Sequence, residues 1–150
     1  MPNHFTIEQQ FAQPPERVFQ ALTDLDAMRA WMPNLVRLEQ VTGSVVGRGA
    51  EFRETRKMFG KEATEHFEVT GYDSPKRLEL FVDGSKGASR RGKYRFTYEL
   101  RPAGGGTHLD LRCEIGGMGR LMEVLGKLFM GPFRKAIAKD LQAMKAYLDK

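Results

Sequence analysis

Six stretches between residues 35 and 115 alternate apolar and polar side chains with a period of two, and beyond residue 118 the period becomes helical. Period two is the mark of a strand with one face buried. The stretches are separated by turns too short for a helical crossover, so neighbouring strands must run antiparallel. The clearest is 93–101, where Tyr94, Phe96, Tyr98 and Leu100 oppose Lys93, Arg95, Thr97 and Glu99. After Gly104-Gly105-Gly106, the residues Leu109, Leu111, Cys113 and Ile115 oppose His108, Asp110, Arg112 and Glu114. The others are 35–42, 50–58, 62–72 and 77–83. Such a sheet leaves an apolar face that needs a cover. The following stripe of Phe133, Ile137, Leu141, Met144 and Leu148, at helical spacing, can supply it.

The chain before residue 35 reads as one more strand and two short helices. Phe5, Ile7, Gln9 and Phe11 share one side of a strand over 4–11. Pro14-Pro15 ends it, and a proline is accepted in the first turn of a helix. Val18, Phe19, Leu22 and Leu25 follow at helical spacing. Thr23-Asp24 closes that helix and caps a second over 26–31, which Pro33 stops. Gly131-Pro132 is expected to kink or interrupt the last helix. It would divide a C-terminal packed anchor from a segment over 118–131 that is a candidate lid.

The length of 150 residues, with 41% hydrophobic residues and no repeat or linker, fits one domain with its own core. Cys113 stands alone, so no internal disulfide can form; together with the lack of a leader-like start, this suits a cytoplasmic setting. No stretch is apolar enough to span a bilayer. The net charge of +5 fits a solvated surface with a modest basic excess. The densest basic patch is Lys86, Arg90, Arg91, Lys93 and Arg95. It reads as a solvated hairpin or as a transient contact with a membrane surface. No aromatic residues interleave with it, so nucleic acid is not an expected partner. His4, His66 and His108 lie on different strands without metal-ligand spacing, and neither a P-loop nor a dinucleotide fingerprint is present. No metal and no cofactor is expected. Cys113, in phase with Leu111 and Ile115, reads as a small core residue.

Five short motifs resemble the START/Bet v 1-like (SRPBCC) superfamily, and within it the polyketide cyclase/dehydrase-like group. They are Pro15-Glu16-Arg17-Val18-Phe19-Gln20-Ala21-Leu22-Thr23-Asp24, Met28-Arg29-Ala30-Trp31-Met32-Pro33, Gly47-Arg48-Gly49-Ala50-Glu51-Phe52, the run from Phe67-Glu68-Val69-Thr70-Gly71 to Leu78, and Gly105-Gly106-Thr107-His108-Leu109. The resemblance implies an α+β helix-grip fold: a curved antiparallel sheet of about seven strands around a long C-terminal helix, in the order β-α-α-β6-α. It also implies an internal cavity for a small hydrophobic ligand such as a lipid or polyketide, in a monomer or homodimer. Function does not follow from fold, because this fold carries several.

On that reading the candidate ligand-binding residues are Trp31, Phe52, Glu54, Arg56, Met58, Phe67, Tyr94, Phe96, Tyr98, Phe129 and Phe133. Glu54 and Arg56 share the phase of Phe52 and Met58, and Glu65 that of Phe67. Inward charges are costly unless they pair or meet a ligand or water. Two readings stay open. The pair anchors a ligand headgroup, with Arg56 taking a carboxylate or phenolate; or the strand is twisted and both charges reach solvent at the sheet edge, towards which the choice tilts. Three functions follow: binding or transport of a hydrophobic molecule, a cyclase or dehydratase using Glu54, Arg56 and Tyr98, or a protein-interaction module using the outer face of the sheet.

Overall fold

A computed structural model describes residues 3–42, 47–58, 60–88, 92–117 and 119–150, with the side chains of 58, 121–127 and 129 excepted. Strand β1 (Asn3–Phe11) leads into α1 (Pro15–Thr23) and α2 (Leu25–Trp31). Six strands follow: β2 (Leu35–Gln40), β3 (Glu51–Met58), β4 (Lys61–Asp73), β5 (Arg77–Asp83), β6 (Lys93–Ala103) and β7 (Gly106–Gly116). Helix α3 (Arg120–Leu148) closes the chain. The strands form one antiparallel sheet in the order β1-β7-β6-β5-β4-β3-β2.

Local chemistry sets the corners. Asp24 ends α1 and caps α2, its side chain accepting from the backbone N–H groups of Asp26 and Ala27 at 2.9 and 3.3 Å. The β6–β7 hairpin turns on Gly104 and Gly105, both with positive φ (58° and 80°), as a two-residue turn between twisted strands requires. Register shifts in β2 (Leu35/Arg37) and β4 (Val69/Gly71) are bulges that help the sheet curl.

The concave face carries the core. Phe5, Ile7 and Phe11 pack with Leu109, Leu111 and Cys113, with Leu78, Leu80 and Val82, and with Val18 and Phe19 of α1. Leu141, Met144 and Leu148 of α3 are almost fully buried on it. These C-terminal turns are the packed anchor. The expected break at Gly131-Pro132 does not occur: α3 runs uninterrupted from Arg120 to Leu148 with Pro132 inside it. The N–H that Pro132 lacks would have bonded the carbonyl of Leu128. Leu128 is 73% exposed, so this turn of the helix lies on the surface. The side chains on which a lid over 118–131 would depend lie largely outside the described residues.

One close approach lies where β7 begins beside the end of β1. A Cβ at Gly106 would collide with the carbonyl oxygen of Phe11 and meet Ala12 at 3.0 Å. Backbone cannot yield as a flexible side chain can, so Gly106→Ala should destabilise by about 2–4 kcal/mol in a urea titration. A loss below about 0.5 kcal/mol would show that the strands separate easily there.

Candidate ligand-binding site

The centre of the site is Arg56 on β3. Its neighbours in register are Leu35 on β2 and Ala63 on β4, on the face that looks towards α3. Its guanidinium donates from Nη1 and Nη2 to the two carboxylate oxygens of Asp140 on α3, at 2.9 and 2.7 Å. It also donates from Nε and Nη2 to the carbonyl of Pro33, at 3.1 and 3.0 Å. That carbonyl is presented by the turn after α2, where Asn34 takes a positive φ of 60°. One side chain thus joins the sheet, the α2–β2 turn and the last helix.

Glu54 lies two residues away on the same face, 3.6 Å from Arg56 Nη1. Its side chain is 12% exposed and that of Arg56 20%, so both are largely buried and not in bulk solvent at the sheet edge. The tilt towards the edge reading is therefore corrected. The strand keeps its phase because the pair and Asp140 compensate one another inside. Burial pushes the Glu54 carboxyl up from 4.5 to about 7; Arg56 opposes the rise, and the charges of Asp140 and Glu65 add to it. Glu65 is opposite Glu54 in the β3–β4 register. Burial works against the Arg56 charge, but the hydrogen bonds and charge of Asp140 outweigh it and hold its pKa above the usual value.

Arg56, expected to take a ligand carboxylate or phenolate, is engaged within the fold. Its donors already face Asp140, Pro33 and Glu54. Sequence reasoning missed Asp140, although a signal existed. It lies three residues after Ile137 and four before Met144, an acid inside the apolar stripe of α3.

The aromatic candidates divide into two groups. Phe52 (5% exposed) and Phe96 (7%) are core residues flanking Phe67; the Phe52 and Phe67 rings stack at 5.0 Å. Phe67, Tyr94, Tyr98 and Phe133 point inward yet are only partly buried. Phe133 meets Phe5 edge-on at 5.7 Å and Tyr94 at 6.0 Å. Burial, with the charge of Asp140 adding, holds the Tyr98 phenol far above its ordinary pKa, so it stays a neutral hydroxyl. Trp31 is partly buried, and its indole N–H donates to the carbonyl of Ala21 at 2.8 Å, fastening α2 to α1. Met58 ends β3 and Phe129 lies on α3, and their side chains are outside the described residues.

Two other candidates resolve. Cys113 is fully buried and burial pushes its thiol up to about 12, so it packs as an inert small residue. His108 lies beside two carboxylates, Asp110 two residues on along its own strand face and Glu8 from the neighbouring strand. Its Nε2 is 3.3 Å from Asp110 and 3.6 Å from Glu8. Glu8 and Asp110 face each other across β1 and β7, and His108 sits against both on the outer face. The cross-strand register supplies the Glu8 contact, which linear spacing cannot reveal. It reads as a polar contact that seats the imidazole between two opposed acids.

These features define the class. The chain is a START/Bet v 1-like helix-grip protein, and residues 2–149 match the family described as polyketide cyclase/dehydrase and lipid transport, to which it belongs. An uncharacterized protein of Mycobacterium tuberculosis (strain H37Rv) is 23% identical over 128 residues, covering 85% of this chain and 80% of its own. The crystal structure of Ara h 8.0201 superposes with a TM-score of 0.74 at 18% identity, over 99% of both chains. A Chromobacterium violaceum protein gives 0.74 at 18%, over 100% of this chain and 99% of its own. At these identities the likeness concerns the fold. Among the described residues, no helix is long and apolar enough to cross a membrane.

Proposed function

We propose that the chain binds or carries a small hydrophobic molecule between the concave face of the sheet and α3. One observation carries this reading. Phe67, Tyr94, Tyr98 and Phe133 point into the fold yet keep accessible surface. A close-packed interior would remove that surface, whereas an apolar pocket with a few polar groups leaves it. The family's description as lipid transport agrees.

The neutral fluorophore N-phenyl-1-naphthylamine tests the reading. Its emission should rise on binding, saturate at one probe per chain and be reversed by excess decanol. Native mass spectra of the protein as purified should show an apolar small molecule retained in part of the population. If emission stays flat and the mass spectra show bare protein alone, the reading fails.

A second reading, a cyclase or dehydratase acting on polyketide-like substrates, is favoured by Glu54, whose carboxyl at about 7 can hold or release a proton near neutrality. Tyr98 would offer its O–H to a developing oxyanion. On this reading Glu54→Gln retains ligand binding and loses turnover.

A further inference from the structure

The outer face of the sheet holds a second polar cluster, away from the proposed cavity. Glu8 of β1 faces Asp110 of β7 in register, and Asp110 in turn faces Glu99 of β6. Carboxylates directly opposite one another on a sheet repel. The guanidinium groups nearby have engagements of their own. Arg101 Nη1 lies 3.4 Å from Asp110 Oδ2, Arg112 Nε lies 3.7 Å from Glu114, and Arg134 donates to the carbonyl of Thr6. Asp110 Oδ1 is left facing His108.

The His108 side chain is only 18% exposed. Its Nε2 stands 3.3 Å from Asp110 Oδ1 and 3.6 Å from Glu8 Oε1, and the three atoms lie within 4.8 Å of one another. As hydrogen bonds these separations are long. An N–H donating to oxygen closes to about 2.7–3.2 Å, and here one nitrogen faces two acceptors on separate strands. The separations match a different geometry. A tetrahedral ion bonded at about 2.0–2.1 Å to nitrogen and oxygen holds its ligand atoms about 3.3–3.4 Å apart. Glu8, with its side chain 73% exposed, is free to close the remaining gap. Glu8 and Asp110 also line a groove with Thr97 and Glu99, which leaves room for a fourth ligand.

We infer that Glu8, His108 and Asp110 bind a divalent transition-metal ion of the Zn²⁺ type, which pins β1 to β7. The imidazole nitrogen selects against Mg²⁺ and Ca²⁺, which take oxygen ligands. The two carboxylates offset the charge of the ion, and the ion relieves their repulsion. Neither the site nor its test depends on the apolar cavity on the opposite face.

Zn²⁺ titrated into the chelator-treated full chain, in competition with a colorimetric chelator, should bind at one ion per chain. It should also raise the thermal midpoint, because the ion recognises only the paired strands of the folded state. Mg²⁺ at the same concentration should do neither. His108→Ala and Glu8→Gln should each weaken Zn²⁺ binding at least about tenfold and abolish the thermal shift. Glu8 is exposed, so its variant tests the site even if His108→Ala does not fold. His4→Ala is the control and should bind as the parent does. Binding that survives Glu8→Gln overturns the inference, since a lone histidine would then hold the ion. Absence of saturable binding overturns it too, as would Mg²⁺ binding as tightly as Zn²⁺ or a loss of binding in His4→Ala.

Discussion

Asp140→Ala is expected to cost about 3 kcal/mol of folding stability, more than most single changes in a chain of this size. Truncation leaves the Arg56 guanidinium, only 20% exposed, with the Pro33 carbonyl and the more distant Glu54 as partners. Breaking a buried pair from one side strands a charge, which costs more than the pair contributes when intact. The residual exposure of Arg56 keeps the figure at the lower end of the usual range. A urea titration should show a lower midpoint with an unchanged slope. The double variant Arg56→Met/Asp140→Leu should recover much of the loss, because two apolar side chains of similar volume need no partners. A loss of under about 0.5 kcal/mol for Asp140→Ala would mean that solvent already screens the pair.

The second large effect is on pH dependence. The Glu54 carboxyl moves from 4.5 to about 7 on folding, through burial above all. Below 4.5 the group is protonated in both states and nothing is lost. Between 4.5 and about 7 the unfolded chain ionises while the folded chain holds its proton, so stability falls as pH rises. Once the pH has passed the folded value, the loss reaches about 3 kcal/mol. Glu54→Gln removes this slope. The variant should match the parent in acid and exceed it by about 3 kcal/mol on the alkaline side of neutrality. Comparing the two proteins at each pH cancels the other carboxylates. Parallel stability curves would show that Glu54 is hydrated in the folded state. Because the charge of Asp140 helps raise Glu54, Asp140→Ala should also shift the midpoint of this transition downward.

Most elements could be read in the sequence because each has a strong period and a chemical stop. The strand over 93–101 and the hairpin after it emerge with bounds close to those observed, since Tyr94, Phe96, Tyr98 and Leu100 sit on a pleat whose other face is polar. The inward phase of Glu54 and Arg56 was legible too, but their tolerance of burial was not. That depends on Asp140, which is 84 residues from Arg56 in sequence. The acid on the apolar stripe of α3 was visible, and only the fold shows what it faces. Pro132 misled for the opposite reason. A local rule predicts a break, but the helix continues through Pro132, where the preceding turn at Leu128 is exposed. The set of Glu8, His108 and Asp110 depends on β1–β7 register, which period alone cannot determine.

The place of β1 has a consequence for how the chain comes to be folded. This strand is made first, yet among the described residues its neighbour in the sheet is β7 alone, with Asn3 opposite Ile115 and Phe11 opposite Thr107. While the chain is being synthesised, Phe5, Ile7 and Phe11 wait for a partner made some hundred residues later. The sheet can be completed from its middle hairpins outward, but its first strand must be the last or nearly the last to dock. A topology so dominated by distant pairing belongs with slow folders. Until β7 emerges, β1 is an unclaimed apolar edge of the kind that nascent chains must be shielded from joining to one another.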